Sequence, residues 1–397
     1  MNNEREIPFS EPFINEDETD AVVRVLKSKW ITTGDEVRQF EVEMKAYLGG
    51  IKAAVAVCSG TAAIDVILGA CGIGAGDEVI TTAYSFVSPV LSMLHRGIIP
   101  VFADVEDKTF NLSVHEVEGV IESRYQMKNG LMRNRLTGRT LKAILPVHFA
   151  GQPADIDGFK RLGRTYHVHI IEDAAHAVGS RYKGQPVGAS GNPVCFSFYS
   201  NKNLTTGEGG MLVWDRRGVE KQLRTWSLHG ISKSNLERYQ SGLPYYDVIF
   251  PGYKANMGDI SAALGRVQLR KLDDITARRE ETAQVFNREL ENIPQVQIPF
   301  IHSHNQPSRH LYPLLLATEQ AHRRDDLIRF LRARDIFPSV HFIPVHHHTF
   351  FKRSGLERPY LPVTDDLFRR EISLPLFPGM GGEEIARVTD AVKAFWA

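Results

Sequence analysis

The sequence carries no net charge: 47 lysines and arginines balance 47 aspartates and glutamates in 397 residues. That balance excludes the broad basic face with which a protein tracks nucleic acid, and it leaves any anionic ligand to be held by local groups. Cysteine is scarce. Cys58, Cys71 and Cys195 are odd in number and far apart, so they make neither a CxxC pair nor a disulfide framework, and a reducing, cytoplasmic setting is expected. No apolar run approaches the length that spans a bilayer, and residues 1–6 lack the basic-then-apolar profile of a signal peptide. Membrane residence is therefore not expected. Internal repeats and low-complexity tracts are absent as well. What is there is an ordinary globular composition, 43% hydrophobic, in a chain long enough for two domains and a large core.

From residue 52 onward, apolar strand-like runs alternate with helical periods, the pattern of a sheet covered on both faces by helices. Strands are expected at 53–58, 78–82, 99–103, 142–147, 168–171, 194–198 and 211–214, and helices at 17–27, 61–70, 88–96, 114–123 and 156–166. A long helical period from Asp259 to Leu290 should lead into a smaller α+β domain. Between Arg124 and Lys142 the charges Lys128, Arg133, Arg135 and Arg139 break any apolar period, and the segment reads as a solvated surface loop.

In an α/β sheet of this kind ligands bind beyond the carboxyl ends of the strands, and the chemically notable residues cluster there. Lys202 lies in a polar, glycine-rich break between two strand-like runs, where a hairpin would hold its amine at a cleft floor; the plain alternative is a solvated loop lysine. Ser59-Gly60-Thr61 follows a strand and opens a helix, so it is either a simple N-cap or a seat for phosphate on free N–H groups and the positive helix end. Gly72-Ile73-Gly74-Ala75-Gly76 mimics a dinucleotide loop, but it precedes a strand instead of opening a helix, which rejects it. Ile170-Ile171-Glu172-Asp173 ends a buried strand in carboxylates, with His176 close behind. A buried carboxylate needs a partner: a metal shared with His176, a salt bridge, or a protonated ring nitrogen. Four histidines between His341 and His348 invite a metal-dependent enzyme. Adjacent histidines on an extended segment point to opposite faces, however, and no HxxxH or cysteine pair supports them, so no metal is expected and a ligand-lining loop is preferred.

Taken together, Val57-Cys58-Ser59-Gly60-Thr61-Ala62-Ala63, Gly76-Asp77-Glu78-Val79-Ile80, Pro146-Val147-His148-Phe149-Ala150-Gly151-Gln152, Glu172-Asp173-Ala174-Ala175-His176-Ala177 and the Lys202 stretch resemble, in this order and over essentially the whole chain, the DegT-type nucleotide-sugar aminotransferases. The resemblance implies a pyridoxal phosphate (PLP)-dependent transferase of fold type I: an α/β large domain with a mostly parallel seven-stranded sheet between helices, and a smaller C-terminal α+β domain. It divides the chain into an N-terminal segment at 1–35 that contributes to the active site, a PLP-binding domain at 36–258, and a linking helix with the small domain at 259–397. It also implies roles. Lys202 is the Schiff-base lysine and proton carrier; Asp173 pairs with the pyridine nitrogen so that the ring acts as an electron sink; Phe86 stacks on the ring. Gly60, Thr61 and Ser197 hold the phosphate, and His176 lies beside the ring oxygen. Where the family often has an asparagine that reaches the neighbouring subunit's phosphate, this chain has Lys254, with Asn256 as the competing candidate. The implied activity is ping-pong transfer of an amino group from L-glutamate, through pyridoxamine phosphate, to a nucleotide-linked keto sugar in bacterial surface polysaccharide or lipopolysaccharide synthesis. The implied enzyme is a homodimer, and histidine at 176 points to C4 of a 4-keto-6-deoxy sugar over C3. A sugar dehydratase of the same family carries histidine in place of the lysine, which Lys202 opposes; a non-catalytic PLP-binding regulator would bring a DNA-binding domain, for which no segment is spare.

Overall fold

Strand Ala53–Val57 is buried along its whole length, as a strand covered on both faces must be, and its unbroken apolar sequence is the reason. The computed structural model describes residues 5–232, 245–357 and 359–397; the first four residues of the N-terminal segment lie outside these. Across the large domain the strands run in the order Ile99–Ala103, Glu78–Thr82, Thr140–Leu145, then His169–Ile170 with Glu172–Asp173, then Pro193–Ser197, Gly210–Trp214 and Ala53–Val57. This is the seven-stranded, mostly parallel sheet. Of these seven, Gly210–Trp214 runs antiparallel to both its neighbours. The strand expected at 168–171 is broken at Ile171, yet its two pieces stay in line because the N–H groups of Ile171 and Asp173 bond Ile144 and Pro146 at 3.0 and 2.9 Å.

Helices Gly60–Ala70, Ser88–His95, Val114–Arg124 and Ile156–Tyr166 cover the faces. Ser59, Ser113 and Asp155 cap three of them with side-chain oxygens, each satisfying a backbone donor that the first turn leaves free. Among the described residues of the large domain, Asp35–Tyr47 and Glu220–Ser227 are helices that were not expected. The 124–142 segment corrects the surface-loop expectation. Tyr125–Lys128 and Leu131–Asn134 form an antiparallel hairpin, and its second strand joins the sheet through Met132 opposite Leu141. Two apolar residues suffice as anchors. Tyr125 and Met132 are buried, and the Tyr125 hydroxyl donates to Glu78 Oε2 at 2.7 Å.

Helix Asp259–Leu290 has 32 residues, about 48 Å at 1.5 Å per residue, and carries the chain into the small domain. There the strands Val296–Gln297, Tyr312–Leu316 and Glu371–Leu374 form an antiparallel sheet packed on Phe286, Leu290, Leu327, Leu331 and Val388. Ile7 belongs to the same core: its N–H bonds Asp335 at 2.8 Å and its carbonyl accepts from Phe337 at 3.0 Å.

Candidate active site

The edge where the parallel strands end gathers most of the residues singled out from sequence. Asp173 is level with Cys195 in the adjacent parallel strand, so Ser197, two residues on, projects beyond the same edge. Ser197 faces Gly210 across the antiparallel pair, and the loop between them closes through Phe198 N–H to Gly209 and Thr206 N–H to Phe198, both 2.9 Å. This is the expected hairpin, with Lys202 at its turn. Gly60 and Gly210 are glycines because of close approach. A Cβ on Gly60 would lie 2.8 Å from Ser197 Cβ, and one on Gly210 would lie 2.6 Å from the Ser59 carbonyl, so the helix start is pressed onto the strand ends.

At that helix start Ser59 Oγ accepts from Ala62 N–H at 3.1 Å, leaving the N–H groups of Gly60 and Thr61 at the positive helix end with no intrahelical acceptor. Thr61 Oγ1 is 2.7 Å from Ser88 Oγ, and Ser197 Oγ accepts from Tyr199 N–H at 3.4 Å. Asp173 is buried, its Oδ1 accepting from Ala175 N–H at 3.0 Å. Burial pushes its carboxyl above the usual range, and the Ala175 N–H and the charge of Lys202 pull the other way. Lys202 is half-buried. Burial lowers its ammonium to about 8, against the opposing pull of Asp173, which brings a free amine within reach near neutral pH.

His176 accepts from Ala150 N–H through Nδ1 at 3.3 Å, which fixes the tautomer with its proton on Nε2. Burial, then the charges of Lys202 and His341, keep it neutral, well below the ordinary imidazole value. Its ring stacks on Phe342 at 5.7 Å and lies 4.4 Å from His310. Phe86 stands 6.3 Å from Phe342 with 60% of its surface exposed, an apolar face free to be covered.

Lys254 and Asn256 sit together, Asn256 bridging Val57 at the end of strand Ala53–Val57, just before the Ser59 helix start. Lys254 donates to Asn256 Oδ1, and Asn256 Nδ2 donates to Thr33 Oγ1 at 2.6 Å. The histidine run departs from expectation. Val345–His347 is a 3-10 turn, not an extended segment, so His346 and His347 do not diverge: both reach Asp365 Oδ1, at 3.2 and 2.9 Å. His341 stands apart from them and faces the Lys202 side.

Two contributors carried no signal in the sequence. His310 Nε2 is 3.4 Å from Lys202 Nζ, although His310 is distant in the chain and sits in no motif. Phe342 lies between His176 and Phe86 and was hidden within the histidine run. Pairings between segments so far apart cannot be seen as periodicity.

The donors present fit PLP. An anion would meet the Gly60–Thr61 helix start, where a Cβ would fill the space; a protonated ring nitrogen would find the buried carboxylate of Asp173, an aldehyde an amine of lowered basicity, and an aromatic ring the bare face of Phe86.

Fold and site together define a fold type I transferase. The DegT/DnrJ/EryC1/StrS aminotransferase family model matches residues 12–393, and the chain belongs to that family. It is 41% identical over 391 residues to the spore coat polysaccharide biosynthesis protein SpsC of Bacillus subtilis, covering 98% of this chain and 96% of that one. Among solved structures, Helicobacter pylori PseC, an aminotransferase involved in the biosynthesis of pseudoaminic acid, superposes with TM-score 0.87 at 26% identity over 99% of both chains. The sugar aminotransferase Spr1654 of Streptococcus pneumoniae, solved in a PLP-form, superposes with TM-score 0.87 at 30% identity over 98% of both chains.

Proposed function

We propose that this chain is a homodimeric, cytoplasmic PLP-dependent aminotransferase that moves an amino group from L-glutamate to a nucleotide-linked keto sugar, at C4 of a 4-keto-6-deoxy sugar, for the synthesis of bacterial surface polysaccharide or lipopolysaccharide. The observation that carries the reading is the half-buried amine of Lys202 in the field of the buried Asp173 carboxylate. A dehydratase would have histidine at 202. When bound, the cofactor supplies an electron sink. Lys202 holds its aldehyde end and carries the proton to and from the substrate carbon. Asp173 keeps a proton on the ring nitrogen, His176 donates Nε2–H to the ring oxygen, and Phe86 stacks on the ring. Gly60 and Thr61 N–H groups with the Ser197 hydroxyl grip the phosphate, and Lys254 or Asn256 serves the phosphate of the partner subunit.

The C4 reading over C3 rests on the family resemblance, in which histidine at this place goes with C4 amination. The three cysteines, none in a disulfide, agree with a reducing compartment, and no helix among the described residues is long and apolar enough to cross a membrane. The test is incubation with glutamate and a panel of UDP- and dTDP-linked 3-keto and 4-keto sugars, with the amino sugar identified by mass spectrometry and NMR. Amination of 4-keto substrates is expected. Amination of 3-keto sugars alone overturns the position; PLP binding without transfer to any of them overturns the activity.

A further inference from the structure

The small-domain strand Glu371–Leu374 carries alternating character: Ile372 and Leu374 enter the core, while Glu371 and Ser373 share the opposite face, as a period of two requires. Ser339 pairs antiparallel with Ser373, N–H to carbonyl in both directions at 3.0 and 2.9 Å. Two residues further on, that register sets His341 across from Glu371, on the same face as both polar side chains. The result is a chain of hydrogen bonds. Glu371 Oε1 is 2.5 Å from Ser373 Oγ, Ser373 Oγ is 2.9 Å from His341 Nδ1, and the second carboxyl oxygen, Oε2, accepts from His341 N–H at 2.8 Å. Glu371 and Ser373 have no solvent exposure. His341 is half-buried. Its Nε2 has no hydrogen-bond partner among the described residues and is not among the buried unpaired atoms, which leaves it open to a ligand. The ring stacks on Phe9 at 5.1 Å and meets Phe342 edge-on at 4.9 Å, and Phe342 in turn stacks on His176.

We propose that Glu371 acts through Ser373 to set the tautomer that His341 presents to the sugar substrate, making Nε2 a donor when Glu371 is protonated and an acceptor when it is not. The proton count follows from the geometry. Because Oε2 already accepts the His341 N–H, a protonated Glu371 carries its hydrogen on Oε1 and donates it to Ser373 Oγ. Ser373 must then give its own hydrogen to His341 Nδ1, and the ring proton stays on Nε2. When Glu371 is ionised, Ser373 donates to Oε1 and accepts from Nδ1–H, leaving a lone pair on Nε2. No proton leaves His341 in either state; it changes nitrogen.

The groups around Glu371 favour the protonated form at neutral pH. Burial pushes its carboxyl up to about 8, opposed by the Ser373 hydroxyl, the His341 N–H and the charge of Arg324. Tyr84 faces it with a buried hydroxyl that lies by the Phe342 backbone N–H. Arg370 is engaged elsewhere, with Asp366 Oδ2 at 2.8 Å and the Leu316 carbonyl at 3.0 Å. Burial, and then the charge of Lys202, keep His341 itself neutral, down to about 3, so the imidazole stays available in either tautomer. Glu371 and Ser373 are positioning residues. The identity of what Nε2 meets, an acceptor oxygen of the keto sugar nucleotide at neutral pH, rests on the proposed function.

The test is solid-state 15N NMR of the PLP-loaded protein labelled with [15N]histidine, with His341→Gln identifying the resonance. The proton should sit on Nε2 at about pH 6 and on Nδ1 at about pH 10. Glu371→Gln, whose amide donates to Ser373 at any pH, should pin it on Nε2 throughout. A wild-type His341 with one tautomer at both pH values, or a Glu371→Gln protein that still switches, overturns the proposal. Ser373→Ala cuts the same relay, and a pH-dependent tautomer surviving in it overturns the proposal equally. With any keto sugar nucleotide the enzyme accepts, KM should rise about tenfold across the transition, and that rise should vanish in Glu371→Gln, which leaves the titration of Lys202 in place as the internal control. The NMR result stands even if no sugar is accepted, which separates failure of the relay from failure of the aminotransferase reading.

Discussion

Gly60→Ala places one methyl group where the helix start meets the strand edge. The new Cβ would stand 2.8 Å from Ser197 Cβ, 3.2 Å from its Cα and 3.3 Å from its Oγ. Two of these atoms belong to, or are one bond from, a backbone held in the sheet, so rotating a side chain cannot relieve the contact and the helix must back away. Such overpacking costs about 1–3 kcal/mol. Alanine returns about 0.5–1 kcal/mol through helix propensity and the stiffer unfolded chain. The net expectation is a loss of about 1 kcal/mol, or about 2 °C in Tm. Gly74→Ala is the control, since nothing lies within 4 Å of its Cβ and only the gain should appear. Thermal unfolding of the cofactor-free proteins by circular dichroism measures both. PLP titration of the same samples should then show weaker retention in Gly60→Ala alone, because its methyl crowds the phosphate seat. A Gly60→Ala protein as stable as Gly74→Ala refutes the packing argument, and unchanged PLP affinity refutes the seat.

Lys202→Ala should abolish the visible absorption that PLP acquires on this protein, and an unchanged spectrum would remove Lys202 from its role. Asp173→Asn should retain PLP yet slow turnover by orders of magnitude, which near-normal rates would contradict. Lys254→Ala should weaken cofactor retention; if it does not, Asn256→Ala decides whether that neighbour serves instead. His176, His310 and His341 are all held below the ordinary imidazole value, chiefly by burial and then by Lys202. A depressed folded-state pKa gives stability that is present above the unfolded value, about 6.5, and is lost as pH falls towards the folded values. Denaturant titrations should therefore show stability falling from pH 7 to pH 5, less steeply in His310→Gln. Equal slopes would mean that His310 is not held neutral.

Local chemistry made most of the fold legible. Glu78–Thr82 and Ile99–Ala103 are apolar runs between turns, and Asp259–Leu290 keeps one period to its end. Asp35–Tyr47 was readable in principle, since Val37, Phe40 and Met44 share a face, but its other positions are largely charged. The hairpin at Tyr125–Asn134 was obscured because charge outnumbers its anchors Tyr125 and Met132 and the partner strand is needed to bury them. Within the site, Gly60, Asp173, His176, Ser197 and Lys202 lie at strand ends or a helix start, where position along the chain predicts position in space. His310, Phe342 and Glu371 reach it only by docking of the small domain, and no spacing along the chain encodes that distance.

Ile7 ties the opening residues of the chain between its closing ones, bonded to Asp335 and Phe337 and packed among Leu374, Phe377 and Val388. During synthesis the large domain can assemble while the ribosome is still making the rest, but the Ile7 stretch has nowhere to go until its partners between Asp335 and Val388 have been made. Its arrival also brings Phe9 against His341, so docking of this stretch completes the aromatic rim there. A translation product cut short before residue 371 would lack the strand on which that rim is built, whatever the state of its large domain.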